Sequence, residues 1–83
     1  MHMDIRERLN QLKLRRRSVP PDLLDSLLIE AGFEFRWGGR NHAIYSHPGL
    51  DYNLSIKQTK RLKPTYVSQA IRAIEEVLEN EDN

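Results

Sequence analysis

The chain has 83 residues, 39% of them hydrophobic and 30% charged, no cysteine, and a formal net charge of +1. A chain of this length closes one modest core, so a deep cavity between two domains is excluded and any site lies on the surface or in a shallow cleft. The missing cysteine rules out disulfides, thiolate metal sites and a thiol nucleophile, and it suits a reducing cytoplasm, the location expected here.

Residues 1–20 read as an N-terminal extension. From Asp4 to about Leu14, Ile5, Leu9 and Leu12 fall at helical spacing, and Asp4 with Glu7 resembles a capping box. The apolar stripe is narrow, so this helix needs something to dock on. Arg15-Arg16-Arg17-Ser18-Val19-Pro20 follows as a basic linker. No hydrophobic signal core follows the arginines and no apolar run is long enough to span a bilayer, so neither secretion nor a membrane partner is expected.

The main domain, 21–83, opens with a helix from about Pro21 to Ala31. Proline suits the first turn, Leu23, Leu24, Leu27, Leu28 and Ala31 form a broad apolar face, and Gly32 terminates it. The period then changes to two. Phe33, Phe35 and Trp37 alternate with Glu34 and Arg36, which predicts a half-buried strand. Gly38-Gly39 reads as a turn, Asn41 to His47 as a second strand, Pro48-Gly49 as another turn, and Tyr52, Leu54 and Ile56 as the alternate positions of a third strand. Lys57 to Lys63 is a basic loop. Pro64 opens a last helix to about residue 79, with Val67, Ile71, Ile74 and Leu78 on its apolar face and an acidic, frayed tail behind it. The expected fold class is α+β: a three-stranded antiparallel meander with two helices on one face, plus the extra N-terminal helix. The other sheet face is left open to a polymer.

His42 is the first candidate for chemistry. Strand parity groups it with Ile44 and Ser46, opposite Ala43, Tyr45 and His47. Imidazole exchanges protons near neutrality, as RNA cleavage through its own 2′-hydroxyl requires, without a metal in principle. The plainer reading is a histidine that hydrogen-bonds at a turn, and the residue types alone favour it. His47, ahead of Pro48, reads as a turn-positioning residue. No metal-ligand spacing is present, a serine triad has no nucleophile elbow, and the glycines do not lead into a helix, so neither metal nor nucleotide cofactor is expected. Arg36, Arg40, Lys57, Lys60, Arg61 and Lys63 gather at strand ends and in the loop before the last helix, where phosphate contacts would give affinity and register. Trp37 and Tyr45 are candidates for base stacking, although Trp37, ending an alternating aromatic run, reads more simply as core.

Taken together, Leu27-Leu28-Ile29-Glu30-Ala31-Gly32-Phe33, Asn41-His42 with Ile44-Tyr45 and His47-Pro48, and Leu62-Lys63-Pro64 resemble the HicA-type toxins, small bacterial mRNA interferases. The resemblance covers roughly residues 21–75 and rests on the order and spacing of the pieces. It implies a double-stranded-RNA-binding-like fold, His42 as the catalytic histidine, and a HicB-type antitoxin partner that covers the site. Two departures stand out. Arg40-Asn41 replaces the family's Gly-Ser, and Lys60 and Arg61 occupy the stretch where many members carry a histidine.

The leading expectation is therefore a metal-independent endoribonuclease toxin acting on mRNA, with His42 as general acid or base and Arg36, Arg40, Asn41, Lys57, Lys60, Arg61 and Lys63 on the RNA. The alternatives are a non-catalytic RNA-binding module of the same fold and a protein-interaction module. Residues 1–20 would dock on the domain, assemble a homo-oligomer, or extend the RNA or antitoxin surface.

Overall fold

Each helix starts at a signal in the sequence. In the computed structural model, which describes residues 4–81, α1 spans Ile5–Lys13, and the extended Asp4 caps it by accepting the Glu7 N–H at 3.0 Å. α2, Pro21–Glu30, begins on a proline at its first position. It ends at Gly32, whose φ of +96° lets the Gly32 N–H reach the Ile29 carbonyl and the Phe33 N–H reach that of Leu28. That is a Schellman closure, and Phe33 and Leu28 are both buried behind it. α3, Pro64–Glu81, runs past the expected end. Glu79 to Glu81 are helical and exposed rather than frayed, while Asp82 and Asn83, like Met1–Met3, lie outside the described residues.

Between α2 and α3 lie β1 (Glu34–Trp37), β2 (His42–Ser46) and β3 (Leu54–Lys57), an antiparallel sheet in the order β1-β2-β3. The fold class is thus α+β, with a three-stranded open sheet and three helices. Register places Phe35 opposite Tyr45 and Trp37 opposite Ala43, then Ala43 opposite Ile56 and Tyr45 opposite Leu54. Ala43, Tyr45, Leu54 and Ile56 are buried in one cluster with Leu24, Leu27 and Leu28 of α2 and with Val67, Ile71, Ile74, Val77 and Leu78 of α3. Leu9 and Leu12 of α1 and Val19 of the linker belong to that same cluster.

The first strand departs from expectation. All four residues of β1 are exposed, with Trp37 62% and Phe35 40% accessible. Both share the parity of the buried face, but β1 is an edge strand whose substantial contacts are with β2. Trp37 is therefore not core. Its ring meets Phe35 edge-on at 5.1 Å, and Phe35 meets Tyr45 at 5.5 Å.

Tyr45 is buried and its hydroxyl donates to Asp25 of α2 at 2.6 Å, which removes it as a base-stacking surface. Burial, then the hydrogen bond and the negative charge of Asp25, push the phenol's pKa well above its ordinary value. The folded chain thus keeps a proton that the unfolded chain loses above about pH 10, so stability falls as pH rises beyond that point. Urea midpoints should decline more steeply between about pH 9 and 11 for the wild type than for Tyr45→Phe. At neutral pH that variant should cost about 1 kcal/mol. Equal slopes would show that Tyr45 is not linked to folding.

Candidate nucleic-acid interface

The turn that delivers His42 is not centred where the glycine pair suggests. The Gly38 N–H donates to the His42 carbonyl at 2.9 Å and the His42 N–H to the Gly39 carbonyl at 3.0 Å. Arg40 and Asn41 therefore occupy the centre, with φ of +47° and +65°, the signature of a type I′ hairpin turn. Gly38 is required for another reason: a Cβ there would stand 2.6 Å from the Ile44 side chain. Asn41 is locked by a neighbour with no signal in the sequence. Its side-chain N–H donates to the Gln58 carbonyl at 2.6 Å, and the Gln58 N–H donates to the Asn41 carbonyl at 2.8 Å. The hairpin tip is thereby tied to the end of β3.

The Arg40 side chain makes no such hydrogen bond among the described residues, and a left-handed backbone costs a non-glycine residue about 1 kcal/mol or more. Arg40→Gly should raise the thermal midpoint by a few degrees while reducing the salt dependence of RNA binding by up to about one contact. A drop in the midpoint would show that the Arg40 side chain stabilises the fold.

His42 begins β2 half-buried, on the sheet face opposite the core. Its register partner is the exposed Lys57. The same face carries Ile44 opposite Ser55, Arg36 opposite Ile44, and Glu34 opposite Ser46. His42 Nδ1 lies 3.1 Å from the Arg40 carbonyl. A carbonyl can only accept, so this contact forms when Nδ1 carries the proton. The neutral ring then presents Nε2 as a lone pair, and among the described residues Nε2 has no hydrogen-bond partner.

His47 occupies a different environment. Its Nδ1 accepts the Gly49 N–H at 2.9 Å and its ring lies 5.0 Å from Phe33. A Cβ on Gly32 would approach its Nε2 to 3.2 Å. It is packed into the turn and points away from the His42 face.

The predicted phosphate contacts fall into two groups. Arg36, Arg40, Asn41 and Lys57 surround the hairpin end of the open face with His42. Lys60, Arg61 and Lys63, all exposed, continue from β3 toward α3. Leu62 between them is buried, and its N–H donates to the Val19 carbonyl at 2.9 Å. Among the described residues no three His, Cys, Asp or Glu side chains are grouped to hold a metal ion, and no helix is long and apolar enough to cross a membrane. A separate groove of about 620 Å3 runs between β3 and α3, lined by Tyr52, Leu54, Ser55, Ser68, Arg72 and Glu76 among others, and does not include His42. Tyr52 donates to Glu76 across it at 3.1 Å; partial burial first, then this bond, raises its pKa.

No protein-family model, curated protein or solved structure matches this chain.

Proposed function

We propose that the protein is a metal-independent endoribonuclease of the HicA toxin type, acting on mRNA in the cytoplasm. The observation that carries this reading is the pairing of His42 with Lys57 on an open, basic sheet face, with Nδ1 engaged by the Arg40 carbonyl and Nε2 left without a hydrogen-bond partner among the described residues. In the proposed reaction Nε2 takes the proton of an RNA 2′-hydroxyl, whose oxygen attacks the adjacent phosphorus. The P–O5′ bond breaks as the 2′-O–P bond forms, giving a 2′,3′-cyclic phosphate and a 5′-hydroxyl protonated from water or from the imidazolium. Lys57 balances the charge gathering on the phosphoryl oxygens.

The order helix, three strands, helix and the single core beneath the sheet support a double-stranded-RNA-binding-like arrangement, with α1 added to it. A HicB-type antitoxin is the partner that this reading carries, and the exposed Phe35 and Trp37 on the free edge of β1 offer it apolar anchors.

A second reading, RNA binding without cleavage, is favoured by one observation. Among the described residues of the sheet, no carboxylate or second histidine shares the hairpin end of the face with His42, since Glu34 pairs with Ser46 at the other end. Incubation of the protein with end-labelled RNA in EDTA separates the two. New fragments ending in cyclic phosphate support the nuclease; retention of RNA without fragments supports the binding module.

A further inference from the structure

The arginine run of residues 15–17 is distant in sequence from the basic loop of residues 60–63, yet the fold joins them. The Val19 carbonyl accepts the Leu62 N–H at 2.9 Å, and Val19 and Leu62 are both buried. Arg16 Nη1 lies 3.4 Å from Ser68 Oγ in the second turn of α3, which places the run beside the start of that helix. Arg15, Arg16, Arg17, Lys60, Arg61 and Lys63 are all exposed. None is ion-paired with a carboxylate among the described residues, unlike Arg8, which pairs with Glu30, and Lys13, which pairs with Glu75. The cluster is continuous with the His42 site. Lys57 faces His42, Gln58 is bonded to Asn41, and the chain then runs through Lys60 and Arg61 to Leu62.

We propose that Arg15, Arg16 and Arg17 form with Lys60, Arg61 and Lys63 a second phosphate-binding surface, which holds the RNA strand where it runs on beyond the His42 site. The proposal rests on the RNA reading above and adds a substrate preference to it: RNA long enough to reach both surfaces. The composition of the patch favours RNA over an acidic protein. Protein interfaces draw affinity from apolar and aromatic anchors at their centre. In residues 13–18 the sole apolar side chain is Leu14, 84% exposed, among four cations and a serine. A surface of unpaired guanidinium and ammonium groups matches regularly spaced phosphates, and its affinity comes from counterion release.

The test uses the full chain, the variants Arg16→Gln/Arg17→Gln, Arg16→Lys/Arg17→Lys and His42→Ala, and unstructured RNAs of about 5 and about 15 nucleotides. Arg15 is kept because its guanidinium donates to the Ser18 carbonyl at 3.1 Å and shapes the turn. Fluorescence anisotropy should show the glutamine pair binding the longer RNA about tenfold more weakly at low salt, with a salt slope smaller by about 1.4. Binding of the short RNA should be unchanged, and the lysine pair should restore the long one. Equal affinity of wild type and glutamine pair for the longer RNA, or equal weakening for both lengths, overturns the proposal. So does loss of polyglutamate binding with RNA affinity unchanged, which would make the patch a site for an acidic protein. If His42→Ala still cleaves while the glutamine pair loses the longer RNA, the catalytic reading fails and this proposal stands.

Discussion

His42→Ala should lower the rate of RNA cleavage by about 10²–10⁴-fold, the usual contribution of one general acid–base group. RNA affinity and thermal stability should change little, because the side chain is half-buried, lies outside the core cluster, and makes one hydrogen bond among the described residues, to the Arg40 carbonyl. The measurement is single-turnover cleavage of a labelled RNA with the binding constant determined in parallel. A variant that cleaves at the wild-type rate removes His42 from the chemistry. One that loses affinity and cleavage together makes it a binding residue.

The largest effect on stability is expected far from that site, at Leu12. This residue of α1 is 2% exposed and sits in the same buried cluster as α2, α3 and the sheet. Leu12→Ala should cost about 2–5 kcal/mol in lost transfer energy and cavity. At about 4–8 °C per kcal/mol for a domain of this size, the midpoint should fall by about 10 °C or more. The loss should appear as one transition for the whole chain, followed by circular dichroism and by exchange of the β2 amides. If α1 melted separately and left the midpoint of the sheet unchanged, the N-terminal segment would be an appendage and not part of the core.

The helices were legible because their signals are local and redundant. The leucines of α2 and the series Val67, Ile71, Ile74 and Leu78 repeat at helical spacing, and every one except the half-buried Leu23 is buried. Ala70, Ala73 and Val77 are buried too, since α3 touches α1, α2 and β3 and buries a broader face than one stripe. The strands were legible in number and order, less so in burial. Alternation in Phe33 to Trp37 is real, but alternation does not say whether a helix covers the strand, and β1 lies at the edge. The position of the turn was missed because Gly-Gly is the strongest local signal, while Asn41 is held in the left-handed region by Gln58, 17 positions away. Val19 and Leu62 were hidden for the same reason: each is a single apolar residue in a polar stretch, and its burial depends on the other segment. At the site, parity separated His42 from His47. The facing of His42 by Lys57 depends on strand register, which no local pattern specified.

Residues 13–18 hang between two fixed points, Leu12 and Val19, both inside the core. The backbone of the arginine run has therefore lost most of its conformational freedom on folding, at about 1–2 kcal/mol per residue, and does not lose it again when a ligand arrives. A flexible arm of the same composition would spend that entropy at binding. Cutting the anchor with Val19→Gly should therefore leave the charge of the run unchanged and still weaken its hold on a polyanion.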